Sequence, residues 1–269
     1  MFKRIYCILA ILCLVLGCSH LATPQEKEAS FQAFADVKVG RVPIRDYLEE
    51  RSAILVAGAE PSDVEIHNDE VGVRLKPVSP DGKVDFASAS ALTDDGYFLT
   101  AGHCVHRAPV FLIVPTNEGP RTFLCRIVWQ PPKDFEYCDL AVVKINPGES
   151  ELATFDLASD AEVTEGDAVV TTGANGEAAG HLLHTLTNNA DPAHGLPLFY
   201  ALVHDAPLNR GDSGGPLTTL DGKLIGIQVL VRGFYIGPSQ AIALRPDPHW
   251  LLETIDADRV AHTTSRPSR

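Results

Sequence analysis

The run Gly211-Asp212-Ser213-Gly214-Gly215-Pro216-Leu217 sets a serine among glycines. A serine hydroxyl is a useful nucleophile only when a base takes its proton and donors stabilise the oxyanion that forms. Glycine on both sides lets the backbone turn tightly, so that the amide N–H groups of Gly211 and Ser213 can converge on one point. The chemistry this predicts is acyl transfer, and the partners it needs lie upstream. His103 follows Tyr97-Phe98-Leu99-Thr100-Ala101-Gly102, a strand running into a turn. Asp139 opens Asp139-Leu140-Ala141-Val142-Val143-Lys144-Ile145, so a carboxylate stands at the mouth of an apolar strand. There it can be shielded from water, accept the imidazole N–H and fix the tautomer. Read singly, His103 is an ordinary turn histidine and Asp139 an ordinary strand start. Their order and their intervals of 36 and 74 residues make them a set.

A bare G-x-S-x-G also fits the nucleophile elbow of an α/β-hydrolase, whose acid and histidine follow the serine. Only 56 residues follow Ser213, and Pro216 blocks the helix that an elbow requires. The order His, Asp, Ser is instead the trypsin-like one. Thr100-Ala101-Gly102-His103-Cys104 resembles the histidine motif of trypsin-like peptidases, and Gly211–Pro216 resembles their serine motif. Thr93–Thr100, Asp139–Ile145, Glu165-Gly166-Asp167-Ala168-Val169-Val170 and His204-Asp205-Ala206-Pro207-Leu208-Asn209 are similar to stretches of the bacterial HtrA (Do-like) branch. The resemblance covers roughly residues 84–245. It implies an all-β fold of two six-stranded antiparallel barrels set perpendicular, with the triad in the cleft between them and a short C-terminal helix after them. It also implies a serine endopeptidase with a protein or peptide substrate and no cofactor. A catalytically silent binding module on the same fold and an esterase-like hydrolase using the same triad are the alternatives. An HtrA protein carries a PDZ domain after the protease; about 25 residues follow the last expected strand here, so none is expected.

Trypsins are activated when a freed apolar N-terminus pairs with the acid before the serine. Asp212 supplies the acid, but Ile54-Leu55-Val56-Ala57-Gly58 after Arg51-Ser52-Ala53 only weakly imitates a processed start, and activity without processing is expected. By position relative to Ser213, Pro207 and Leu208 are expected near the base and wall of the substrate pocket, with Val231 and Ser239 on the other side. The absence of an acid there argues for a small or medium apolar residue before the cut rather than Arg or Lys. His106, three positions after His103, is read as an exposed turn histidine; His181, His184 and His194 are read as solvated loop histidines; and Arg210 faces substrate or solvent.

The elements that must position these groups are legible as short apolar runs between turn signals. Val84–Leu92, Tyr97–Ala101, Val110–Val114, Thr122–Trp129 and Leu140–Ile145 form one series. Ala168–Thr172, Leu198–Val203, Leu224–Val231 and Ala241–Leu244 form a second. Short β-branched runs at this spacing predict a sandwich or barrel. The boundaries read as a signal peptide over 1–17, a tether and extension over 18–60, and a peptidase domain over 61–256. Its barrels occupy about 61–150 and 160–245, and 257–269 reads as a tail. Helix is expected only around Val42–Ser52 and at Pro248–Ile255.

Met1-Phe2-Lys3-Arg4 is a basic start, and the apolar run Ile5–Leu16 is shorter than the roughly 20 residues of a bilayer span. It ends in Val15-Leu16-Gly17-Cys18, which resembles a bacterial lipobox, with Cys18 as the lipidated residue and Ser19 after it. An ordinary signal peptide with a chance cysteine is the alternative. The expectation is an extracytoplasmic protein held at a membrane by a lipid anchor. The chain carries a formal charge of −13, about −15 once Lys3 and Arg4 are removed, which repels phosphate backbones and argues against a nucleic-acid partner. Cys104, Cys125 and Cys138 remain, and an oxidising compartment favours one disulfide and one free thiol. Cys104 and Cys138 flank residues that must meet, which makes them the candidate pair. No cysteines have C-x-x-C spacing, so no metal site is expected.

Overall fold

The computed structural model describes residues 21–69, 72–78, 84–132, 135, 138–188, 196–232 and 240–263. The expected signal peptide and Cys18 therefore lie outside the described residues.

Seven strands form the first sheet: β1 (Ser52–Ala57), β2 (Asp85–Ala91), β3 (Tyr97–Thr100), β4 (Val110–Val114), β5 (Arg121–Leu124), β6 (Arg126–Trp129) and β7 (Ala141–Lys144). Their spatial order is β6-β7-β3-β2-β1-β4-β5, antiparallel throughout. Six further strands close into a barrel: β8 (Ala168–Gly173), β9 (Gly176–Asn188), β10 (Phe199–His204), β11 (Pro216–Thr219), β12 (Leu224–Arg232) and β13 (Gln240–Pro246). β8 closes it by pairing with both β9 and β11. The architecture is thus one closed six-stranded barrel and one curled half-barrel sheet, followed by a C-terminal helix, in keeping with the two-barrel all-β fold expected. The first sheet also contains β1, between β2 and β4, so it begins at residue 52, ahead of the boundary expected near 61. β5 and β6 split the expected single run at Cys125.

Burial explains the strands that composition announces. Every side chain of β3 and β4 is buried, and Leu55, Phe98, Leu112, Leu140 and Val142 belong to one apolar core. Val169, Leu182, Leu202, Leu217 and Ile225 fill the closed barrel. β9 occupies the stretch read as a loop. Its His181 and His184 are exposed as expected, but they alternate with inward residues such as Leu182 on a strand. His194 lies outside the described residues.

The stretch read as a featureless tether is folded. Helix α1 (Pro24–Phe31) opens with a capping box, in which the Thr23 hydroxyl accepts from the Glu26 N–H and the Glu26 carboxylate accepts from the Thr23 N–H. Phe31 is fully buried against Ile44 and Leu48 of helix α2 (Ile44–Glu49) and against Val170, Ala179 and Leu224 of the barrel. Helix α3 (Pro248–Thr263) runs past the expected end at Ile255, because its last turns are anchored too. Asp258 accepts two bonds from Arg126, at 2.6 and 2.7 Å, and one from the Tyr97 hydroxyl at 2.8 Å.

One buried group of the barrel makes stability pH-dependent. The His204 Nε2 lies 2.9 Å from the Gln228 Oε1, Gln228 donates to Thr171 Oγ1, and the buried His204 Nδ1 has no partner among the described residues. Burial pushes its pKa down to about 4, against about 6.5 for a free imidazole. Because the folded value is the lower one, the unfolded chain binds the proton first. Stability is complete above about pH 6.5 and falls by up to about 3 kcal/mol on the way to pH 4. Urea unfolding at a series of pH values should display this limb, and His204→Gln should flatten it.

Candidate active site

Strand register brings the histidine and the acid together. β7 pairs antiparallel with β3, with Ala141 opposite Thr100. Asp139 lies two residues before the start of β7 and His103 three residues after the end of β3, in the 3₁₀ turn Gly102–Val105. Both Asp139 oxygens are engaged by that single residue. The His103 backbone N–H donates to Oδ1 at 2.7 Å, and the His103 Nδ1 lies 2.6 Å from Oδ2. The imidazole is half exposed, with Nδ1 committed to the carboxylate and Nε2 on the other side of the ring. Burial disfavours the imidazolium, but the hydrogen bonds it donates to Asp139 and Cys104 outweigh this, and the His103 pKa rises above the usual imidazole range.

The serine arrives from the other unit, on the loop between β10 and β11, and is held by β2 of the first sheet. The Ser88 N–H donates to the Ser213 carbonyl at 2.8 Å, and the Ser88 hydroxyl donates to the Gly211 carbonyl at 2.8 Å. The Ser90 hydroxyl reaches the Gly214 carbonyl at 3.1 Å. Gly211 sits at φ +94°, a left-handed conformation that a side chain would strain. A Cβ on Gly214 would collide with the Ser88 carbonyl. Among the described residues, the N–H groups of Gly211 and Ser213 have no hydrogen-bond acceptor. A cleft of about 360 Å³ is lined by His103, Cys104, Arg107, Arg210, Gly211 and Ser213, among others. The structure therefore brings His103, Asp139, Gly211 and Ser213 to one place. Ser88 and Ser90, buried hydroxyls with defined partners, escaped the sequence reading because nothing in Ala87-Ser88-Ala89-Ser90-Ala91 distinguishes an anchor from a filler.

Other expectations fare differently. Pro207 is half-buried and Leu208 buried, and neither lines this cleft; the Leu208 carbonyl instead accepts from the Ala22 N–H at 2.9 Å. The Val231 side chain and Ser239 lie outside the described residues. Cys104, Cys125 and Cys138 are all free thiols, which corrects the expected disulfide. The Cys104 Sγ is turned toward the Ser213 carbonyl, at 4.0 Å, and the Cys125 Sγ toward the Phe123 carbonyl, at 3.9 Å. Ile54 lies inside β1, paired with Ser88 on one side and Ile113 on the other, so it is no free chain start. The group facing Asp212 is the Lys27 ammonium, 2.7 Å from Oδ2, with both side chains 1% exposed. Among the described residues no group of three or more His, Cys, Asp or Glu side chains is placed to hold a metal.

A fold of this class, with a serine loop facing a His–Asp pair, invites comparison with known proteins. The family model of the trypsin-like peptidase domain matches residues 87–227, and the chain belongs to that family of serine proteases. A probable periplasmic serine endoprotease, DegP-like, of Bartonella henselae is 26% identical over 159 residues, covering 59% of this chain and 29% of that protein. The putative serine protease HhoA of Synechocystis sp. is 31% identical over 170 residues, covering 59% of this chain and 41% of its own length. The chain thus spans less than half the length of these relatives. The solved structure of the HtrA-type protease AlgW with tripeptide superimposes with a TM-score of 0.54 at 21% identity, over 79% of this chain and 61% of that one. At that identity the likeness speaks for the fold.

Proposed function

We propose that this chain is a serine endopeptidase acting through Ser213, His103 and Asp139. Ser213 attacks a peptide carbonyl, His103 accepts its proton through Nε2, and Asp139 holds the imidazole by Nδ1 and stabilises its cation. The amides of Gly211 and Ser213 receive the oxyanion. His103 then returns the proton to the leaving amine, and water repeats the sequence on the acyl-enzyme. The observation that carries this reading is the doubly hydrogen-bonded His103–Asp139 pair opening on the same cleft as Ser213.

The DegP-like relatives bear the word periplasmic in their names, and the lipobox-like Val15-Leu16-Gly17-Cys18 fits an extracytoplasmic, lipid-anchored enzyme acting on proteins near a membrane. If Cys18 carries lipid, the link to the docked Ala22 spans at most about 14 Å, so the domain sits against the bilayer rather than on a long leash.

The test is hydrolysis of unfolded casein by the purified chain beside Ser213→Ala, with paired peptide and ester substrates. Cleavage by the wild type alone, after small or medium apolar residues, is expected. Hydrolysis of esters without peptides would overturn the endopeptidase reading, and robust cleavage after Arg or Lys would overturn the expected apolar preference.

A further inference from the structure

Among the described residues, the most deeply buried charges stand next to Ser213. Lys27 and Asp212 are 185 positions apart, both 1% exposed, with Nζ 2.7 Å from Oδ2. Charges removed from water this completely persist only in a well-made pair, and removing one partner leaves the other stranded. The carboxylate is also a fixed point of the serine loop. Its Oδ2 accepts the Asn209 N–H at 2.7 Å, and its Oδ1 lies 3.5 Å from the Asn175 Nδ2, which also donates to the Arg210 carbonyl. Asp212 and Asn175 together therefore hold Asn209, Arg210 and Asp212 itself, the residues that carry the chain into Gly211 and Ser213.

The cation comes from α1, and α1 is bolted to the same region on both sides of Lys27. Upstream, the Ala22 N–H donates to the Leu208 carbonyl, one residue before Asn209. Downstream, the Ser30 hydroxyl accepts the Ala179 N–H at 3.1 Å and Phe31 is fully buried. Arg45 of α2 pairs with Glu28 at 3.0 Å on the exposed side. The helix thus holds a buried ammonium on Asp212, the residue next to Ser213.

We propose that Lys27 is a positioning residue for the reaction, and that residues 21–34 are an intramolecular activator whose docking sets the turn at Gly211–Ser213. Without the ammonium, the lone Asp212 carboxylate leaves its pocket for water and carries the adjoining peptide units with it. The two N–H groups then no longer converge on an oxyanion. This rests on the serine peptidase reading above.

The experiment uses the full chain carrying Lys27→Ala, with folding followed by circular dichroism and thermal unfolding. Acylation by a fluorophosphonate probe and kcat and KM on a peptide substrate are the readouts. Loss of organised oxyanion donors predicts a fall of about 10²–10³-fold in kcat and in acylation rate, with KM little changed. n-Propylammonium, which fits the space left by the side chain, should restore at least about tenfold of that loss, an effect that general destabilisation would not produce. Should the single variant not fold, Lys27→Met with Asp212→Asn leaves no stranded charge and should fold, yet acylate at least about tenfold slower than wild type. A folded variant of either kind acylating within threefold of wild type overturns the proposal. Absence of Ser213-dependent labelling in the wild type itself would instead overturn the peptidase reading, so the two failures are distinguishable.

Discussion

Ser213→Ala is expected to lower kcat by about 10⁵–10⁶-fold while leaving the fold as it is. The loop owes its shape to backbone groups and to Asp212, not to the serine hydroxyl. Ser88 binds the Ser213 carbonyl, Ser90 binds the Gly214 carbonyl, and Gln228 accepts the Gly214 N–H at 2.7 Å, all of which survive loss of Oγ. Stability should therefore change by no more than about 0.5 kcal/mol. The activity that remains, from the amide donors and binding alone, should still exceed the reaction in water by about 10³–10⁴-fold. Turnover comparable to wild type in a folded Ser213→Ala protein would remove the nucleophile from the account.

Asp139→Asn should cost about 10⁴-fold in kcat. The wild-type carboxylate accepts twice from one residue, from the His103 backbone N–H and from the Nδ1 side of its ring. An asparagine can accept only one of these bonds, and its NH₂ must face the other donor. Rotating it to satisfy the backbone turns the NH₂ on Nδ1, which selects the tautomer with its proton on Nε2 and leaves no base toward Ser213. The pH profile should move as well. His103 must be neutral to accept the serine proton, and Asp139 holds its pKa up. The acid limb of wild-type kcat/KM should thus lie above the ordinary imidazole value near 6.5. In Asp139→Asn the imidazolium loses that stabilisation, so the limb shifts to lower pH even as the plateau falls. An unshifted limb would mean that the group titrating in the profile is not His103.

Much of this site could be read from the chain because the chemistry forces particular residue types into particular contexts. Thr100-Ala101-Gly102-His103 and Gly211–Pro216 combine a reactive group with the backbone it needs, and Asp139 heads a strand whose next residues are wholly apolar. Strands β3 and β4 were legible for a related reason, since buried runs such as Val110–Val114 bounded by turns have few other uses. The parts that stayed hidden are those where solvation depends on distant residues. Lys27 lies in Glu26-Lys27-Glu28, which reads as a solvated run, and only the assembled barrel reveals that its ammonium is buried on Asp212. Its helix did leave a local trace, the Thr23-Pro24 start followed by Glu26, which is a capping signature. β9 was hidden because Gly176, Ala178, Ala179 and Gly180 lack the bulk that marks a strand, and its exposed histidines suggest a loop. The free thiols could not be foreseen either. Proximity in sequence to residues that meet says nothing about where a sulfur points, and the Cys104 Sγ faces a backbone carbonyl.

The most direct test of the central claim is the mass of the intact chain after reaction with diisopropyl fluorophosphonate, followed by peptide mapping. The reagent requires a nucleophile, its base and an oxyanion site assembled together, and it requires no knowledge of the natural substrate. The account predicts one stoichiometric adduct on Ser213, absent in Ser213→Ala and formed far more slowly in Asp139→Asn. A folded wild type that takes up no reagent, or an adduct that persists in Ser213→Ala, would contradict it.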